Sequence, residues 1–325
     1  MRLAGRMAHL QPSPSFTTLA RAKALEAAGH DIIPLEVGEP DFDTPAHIVE
    51  AGVAALRGGH TRYTPAAGEA GLRAAIARHV EQSRGVEIAP SDVIVAPGGK
   101  PIIYYAIQAL VDPGDEVIVP DPTFPSYATI AAYAGAQVVR VPLRADDGFA
   151  FDVDAFAAAL SPRTRLVVLN SPSNPTGAVM TAADLAAVAR LVAARPDVVV
   201  LADEIYSRLV YDGAHRSIIA EPGMRERTIL LDGFSKTFAM TGWRLGYAVV
   251  PPALAPALVD LQSNITSCAA DATQVAGLAA LTGPQADVDA MIDTFRARRD
   301  HVVARLNALP GVRCARPAGA FYAFP

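Results

Sequence analysis

The chain has 325 residues, of which 51% are hydrophobic and 19% charged. That balance excludes a disordered polypeptide and suits one large body with an appendage, or two domains with separate cores. A formal net charge of -5 offers no basic stripe to nucleic acid, and no uninterrupted apolar run reaches the ~18 residues that a membrane helix needs. Two cysteines, Cys268 and Cys314, are too few for a disulfide framework or a metal cluster, so no metal is expected and a reducing cytoplasm fits.

Taken in chain order, residues 16–29 read as an alanine- and leucine-rich helix stopped by Gly29. An apolar run over 32–37 leads into Gly38-Glu39-Pro40-Asp41-Phe42-Asp43-Thr44-Pro45, whose prolines and glycine predict a fixed loop. Helices are expected over 46–56 and 69–82. From Asp92 onward, apolar runs alternate with helical stretches: 93–96, 116–120, 137–141, 166–169, 198–202, 229–231 and 245–250. Most lack two-residue alternation, which predicts strands buried on both faces. This is the signature of an α/β layer domain with a mostly parallel, seven-stranded sheet flanked by helices. Residues 286–308 read as a long helix, and 311–325 as one or two strands of a smaller unit. The expected division is a leading segment over 1–45, a large domain over 46–285 and the start of a smaller unit over 286–325.

The chemistry gathers where these runs end. Lysine occurs only at Lys23, Lys100 and Lys236, so arginine makes up 25 of the 28 basic residues. Arginine keeps its proton in proteins, whereas a desolvated lysine can lose it, and only a neutral primary amine condenses with an aldehyde. Lys236 follows an apolar run, as such a group would; a stray surface lysine is the alternative. After 93–96 comes Pro97-Gly98-Gly99-Lys100-Pro101, a strand-to-helix turn able to present N–H groups to an anion, though a glycine pair alone is also a plain turn. Neither a P-loop nor a dinucleotide fingerprint is present. Phe124 lies on a proline-stiffened loop as a stacking platform or a core aromatic. Asn170-Ser171-Pro172-Ser173-Asn174-Pro175-Thr176-Gly177 holds two X-Pro bonds that are candidates for the cis form. Asp203 directly follows an apolar run, where it needs a positive partner unless it is a helix N-cap. Arg244 comes eight residues after Lys236. In a doubly wound sheet these ends share one edge. An aldehyde-reactive lysine, an anion cradle and a buried carboxylate together match the needs of pyridoxal phosphate.

Gly38-Glu39-Pro40-Asp41-Phe42, Tyr63 with Gly68, Gly98-Gly99-Lys100, Asn174-Pro175-Thr176-Gly177, Asp203-Glu204-Ile205-Tyr206 and the stretch from Ser235-Lys236 to Gly246 resemble the class I/II aminotransferases of fold-type I, in the aspartate aminotransferase subgroup. The motifs extend over almost the whole chain. By that likeness, 1–45 is an arm with a small-domain segment and 286–325 the start of an incomplete α+β small domain. The resemblance implies that Lys236 is the Schiff-base lysine and proton carrier, that Asp203 pairs with the pyridinium nitrogen, and that Tyr206 and Asn174 donate to the phenolic oxygen. Phe124 would stack on the ring, while Gly98, Gly99, Lys100 and Arg244 would cradle the phosphate. Tyr63 would reach the neighbouring subunit of a homodimer, Gly38 would meet the substrate carboxylate, and Ser15 and Thr17 match a substrate-side segment. The implied reaction is a ping-pong exchange between an L-amino acid and a 2-oxo acid, aspartate and 2-oxoglutarate by analogy. A carbon–sulfur β-lyase or an inactive cofactor-binding remnant are the rivals. Two departures stand out. Gly233 takes the place of a phosphate-binding serine, and relatives continue beyond a segment like Pro317–Pro325 to an arginine that clamps the substrate α-carboxylate. Weak amino-acid binding and poor folding are the expectations from the second.

Overall fold

The computed structural model describes residues 1–10 and 14–325. Seven strands form one sheet: β1 (Val93–Ala96), β2 (Glu116–Asp121), β3 (Gln137–Pro142), β4 (Thr164–Asn170), β5 (Val199–Asp203), β6 (Thr228–Gly233) and β7 (Gly246–Val249). Each of the seven apolar runs picked out beyond Asp92 is one of these strands. Their order across the sheet is β1-β7-β6-β5-β4-β2-β3. β7 runs antiparallel to both neighbours, and the remaining pairs are parallel.

Successive residues of a strand feed opposite faces. Ile94, Leu166, Leu201, Ile229 and Leu231 enter a core on one side. Val93, Val95 and Leu230 enter the other side, as do Val167, Val200 and Ala202 further along it. Both faces of the central strands are dry, which explains the absence of polar alternation. β3 lies at the sheet edge and is mostly exposed or half-buried.

On the first face lie α4 (Gly99–Leu110), α5 (Ser126–Ala134) and α8 (Ala255–Ile265), through side chains such as Ile103, Tyr127 and Leu258. The opposite face is covered at the β1–β7–β6 end by α2 (Ala46–Arg57), α3 (Ala70–Arg84), α9 (Asp271–Thr282) and the first half of α10 (Ala286–Asn307). Around β5 and β4 it is covered by α6 (Val153–Ala159) and α7 (Ala182–Ala193). The N-terminal helix α1 spans Pro14–Ala27. The 32–37 run stays outside the sheet, with Ile33 and Leu35 exposed. Among the described residues no helix is long and apolar enough to cross a membrane.

The expectation of strands over 311–325 is not met. No neighbouring strand runs beside this segment among the described residues, so its backbone groups pair singly with loops. Gly319 N donates to Gly177 O at 2.9 Å, Ala320 N to Leu209 O at 2.8 Å, and Tyr211 N to Ala318 O at 2.8 Å. One isolated bridge joins Val210 and Gly319. The segment is a strap across the loops that follow β4 and β5.

Candidate active site

Because β7 returns antiparallel to β6, the chain between them leaves and re-enters the sheet at one edge. Gly233 at the end of β6 is paired in register with Gly246 at the start of β7, and Lys236 and Arg244 lie on the connection. A Cβ on Gly233 would stand 2.9 Å from the Gly246 Cα, so a side chain has no room there at this strand spacing. That accounts for the glycine where the resemblance led us to look for serine. Lys236 is largely enclosed, and its Nζ donates to the Gly38 carbonyl at 2.5 Å. Burial lowers its pKa from the usual 10.5 to about 8; Arg244 and Lys100 push the same way, while Glu39 and Asp203 oppose. About one tenth of this amine is therefore neutral at pH 7, the form that attacks a carbonyl.

β5 ends in Asp203, which is buried. The Tyr127 hydroxyl donates to Oδ2 at 2.6 Å and the Ile205 N–H to Oδ1 at 3.2 Å. Burial raises the carboxyl to about 6 in spite of these two donors. The sequence suggested a cationic partner or a helix N-cap, and among the described residues neither is bonded to it: no helix follows β5 directly, and the donors are a phenol and a local backbone turn. An ionised carboxylate has about four acceptor positions, so capacity is left for an outside cation. Asn170, the last residue of β4, donates to the Asp203 carbonyl at 3.2 Å and accepts from Asn174 N at 2.7 Å. The loop carrying Asn174 is thereby fixed to the end of β5. Both X-Pro bonds of that loop are cis, as is Asp121-Pro122.

The anion-binding end is built on α4. Gly98 caps the helix at φ +97°, and a Cβ there would run into the Arg244 guanidinium. The first-turn N–H groups at Gly99 and Lys100 have no intrahelical acceptor, which makes the spot electropositive. Arg244 itself sits in the left-handed region at φ +55° and donates to Thr241 O at 2.8 Å. The Lys100 ammonium lies 5.4 Å from the Phe124 ring and 5.3 Å from the Phe16 ring of α1. Burial, then Arg244, lowers its pKa. Phe124 is half-buried, edge-on to Tyr127 at 5.5 Å.

Tyr206 and Asn174 converge on a third side chain, Tyr322 of the C-terminal strap. The two hydroxyls are 2.5 Å apart, and Asn174 Nδ2 donates to Tyr322 at 3.1 Å. Gly38 closes this group, since a Cβ on it would come 2.5 Å from the Tyr322 hydroxyl. Tyr63 lies apart, 89% exposed. Ser15 and Thr17 are exposed in the first turn of α1.

Sequence reasoning missed Tyr127, Tyr322 and an ionic cluster behind the site. Arg84 donates to Glu204 at 3.1 Å and to Asp232 at 2.7 Å, all three buried. His215 meets Glu204 at 2.8 Å and Ser207 donates to Asp232 at 2.9 Å. The one visible signal was adjacency: Glu204 follows Asp203, and Asp232 stands four residues before Lys236.

Fold and edge together define an α/β enzyme body with an activated amine set between an anion cradle and a buried carboxylate. Pyridoxal phosphate asks for those three features and for donors to its phenolic oxygen. Residues of the right chemistry are present for each, and the close fit of Gly98 to Arg244 leaves the cradle open only because no Cβ fills it. The family model for aminotransferase class I and II matches residues 30–325. The aspartate aminotransferase of Geobacillus stearothermophilus is 41% identical, over 100% of this chain and 83% of its own length. An aspartate/prephenate aminotransferase of Cereibacter sphaeroides is 41% identical over 99% of this chain and 81% of its own. The solved aspartate aminotransferase of Thermus thermophilus with maleate superposes with a TM-score of 0.95 at 41% identity, covering 99% of this chain and 85% of that one. The chain belongs to the class I and II aminotransferases. It is a pyridoxal-phosphate-dependent aminotransferase, acting between an amino acid and a 2-oxo acid. Relatives that are themselves aminotransferases favour this over the β-lyase and inactive-remnant readings.

Proposed function

We propose that the enzyme transfers the amino group of an acidic amino acid, aspartate, to 2-oxoglutarate in two half-reactions. The observation that carries the reading is the enclosed Lys236 amine, held near pKa 8 within electrostatic reach of Asp203, Arg244 and Lys100. Bound pyridoxal phosphate supplies an aldehyde and an electron-withdrawing ring. Lys236 would hold the cofactor through its amine and would be the group placed to carry a proton from the substrate α-carbon. Asp203 would keep the ring nitrogen protonated, and Tyr206 and Asn174 would donate to the phenolic oxygen. Phe124 would stack on the ring, while the N–H groups at Gly99 and Lys100, with Gly98 and Arg244, would hold the phosphate.

Gly38, already tied to Lys236 through its carbonyl, orients the substrate carboxylate. Ser15 and Thr17 on α1 complete the substrate side, where Phe16 packs on the Lys100 cation. Relatives that are aspartate aminotransferases support dicarboxylic substrates. The exposed Tyr63 ring belongs, on this reading, to the site of a second copy in a cytoplasmic homodimer. The arm 1–45, the large domain 46–285 and the small-domain segment 286–325 form its units. A panel of amino acids with 2-oxoglutarate, followed by glutamate formation, tests the substrate class. Fastest turnover with aspartate is expected; release of ammonia and pyruvate without glutamate would refute amino transfer.

A further inference from the structure

Tyr322 brings its hydroxyl between the two side chains assigned above to the cofactor's phenolic oxygen. It is 2.5 Å from the Tyr206 hydroxyl and 3.1 Å from Asn174 Nδ2. Its ring stands edge-on to Tyr206 at 5.6 Å and tilted against Phe321 at 5.1 Å. The strap that carries it is pinned by the Gly319–Gly177 and Ala320–Leu209 backbone bonds. Tyr322 is delivered into the site by a fixed backbone, and no sequence signal marked it.

One O–H lies between Tyr206 and Tyr322, and either oxygen can be its donor. The Asn174 amide nitrogen only donates, so Tyr322 accepts from it. With that lone pair engaged, Tyr322 can pass its own proton toward Tyr206. The Tyr206 proton is then free for another acceptor, whereas the reverse direction would commit it to Tyr322. Successive donors in such a chain polarise and strengthen one another. Burial pushes the Tyr322 phenol up to about 12 and the Tyr206 phenol well above 10, so both stay protonated across the neutral range. The ionisable groups facing the pair are Asp203 from β5, Tyr127 from α5, and Lys236, whose ammonium lies 5.7 Å from the Phe321 ring.

We propose that Tyr322 is a positioning residue for amino transfer, its hydroxyl relaying the Asn174 amide to Tyr206 and so aiming the Tyr206 proton at the phenolic oxygen of pyridoxal phosphate. This rests on the assignment of Tyr206 and Asn174 made above. It gives the C-terminal strap a part in the chemistry beyond packing.

The test is a pH titration of the visible absorbance of the bound cofactor, without substrate, in the unsubstituted holoenzyme and in Tyr322→Phe. Weakening a donor to the phenolic oxygen returns electron density to the cofactor, so the proton beside Lys236 is held more tightly. The midpoint should rise by about 0.5–1 pH unit, with the melting temperature of the cofactor-free chain lowered by a few degrees at most, because phenylalanine keeps the ring packing and only the hydroxyl's hydrogen bonds are lost. An unmoved midpoint in folded Tyr322→Phe overturns the proposal. Should that variant not fold, 3-fluorotyrosine at position 322 keeps the hydroxyl and makes it a stronger donor. The midpoint must then fall, and no movement overturns the proposal equally. Tyr206→Phe separates the two levels. If it shifts the midpoint and Tyr322→Phe does not, only the relay fails; if Tyr206→Phe leaves it unmoved, the Tyr206 assignment fails and the relay with it.

Discussion

Tyr127 donates its hydroxyl proton to Asp203 across 2.6 Å, and this bond opposes the burial that holds the carboxylate's charge back to higher pH. Folding raises Asp203 from 3.8 to about 6, burial outweighing the two donors. The folded chain therefore binds this proton more tightly than the unfolded chain. The stability gained from it is full below 3.8 and is lost as pH rises through about 6. Cofactor binding has the opposite sign, because the ring cation is held by the ionised form. Affinity of the cofactor-free chain for pyridoxal phosphate should climb with pH about a midpoint near 6. In Tyr127→Phe the midpoint should move up by about one unit. Absorbance titrations at a series of pH values check this, and a midpoint unaffected by Tyr127→Phe would count against it.

Lys236 presents the same linkage with a base. Folding lowers it from 10.5 to about 8, so the unfolded chain binds the extra proton between those values. The cost to stability is complete below about 8 and fades as pH rises toward 10.5. Lys236→Met should stabilise the cofactor-free chain at pH 7 by about 1–3 kcal/mol while cutting amino transfer about 10⁴-fold or more. Denaturant unfolding at neutral and strongly alkaline pH reads the first effect, which should shrink at the higher pH.

Arg244 and Gly98 make a paired test of the anion cradle. Arg244→Ala should weaken pyridoxal phosphate binding about 100-fold and Arg244→Lys about 10-fold, since lysine keeps the charge and loses the planar fork. Gly98→Ala should weaken it as well, because alanine tolerates φ +97° poorly and its Cβ meets the guanidinium. Pyridoxal lacking the phosphate is the control: its binding should barely respond to either change.

The buried cluster of Arg84, Glu204 and Asp232 is predicted to be structural. Burial raises Asp232 while Arg84 opposes it; burial also disfavours the Glu204 charge, yet His215 and Arg84 hold that carboxyl below its usual range. Arg84→Met leaves two buried acids without their cation and should destabilise the chain by about 3–5 kcal/mol. Adding Glu204→Gln and Asp232→Asn should restore part of the loss, read by denaturant unfolding.

Much of this was legible in the sequence, for physical reasons. Strands dry on both faces leave uninterrupted apolar runs, so 93–96 and 198–202 announced β1 and β5 directly. Lys236, Asp203 and the Gly98-Gly99 turn stood out because each is an unusual residue at the end of such a run. Tyr127 and Tyr322 did not, since an aromatic in a helix or strap looks like core until its hydroxyl partner is placed. The strap also misled: Phe321-Tyr322-Ala323-Phe324 has strand composition, but a strand needs a neighbour to pair with, and local pattern cannot say whether one is present. The antiparallel return of β7, which sets Arg244 beside the other site residues, was equally invisible, because direction within a sheet is a tertiary property.

The central claim is that one particular amine holds the cofactor, and the sequence makes the measurement clean because the chain has only three lysines. Incubating it with pyridoxal phosphate, reducing with borohydride and mapping the peptides by mass locates the modified residue. The account predicts a single adduct on Lys236. A stable adduct on Lys100 or Lys23 instead, or undiminished labelling in Lys236→Met, would contradict it.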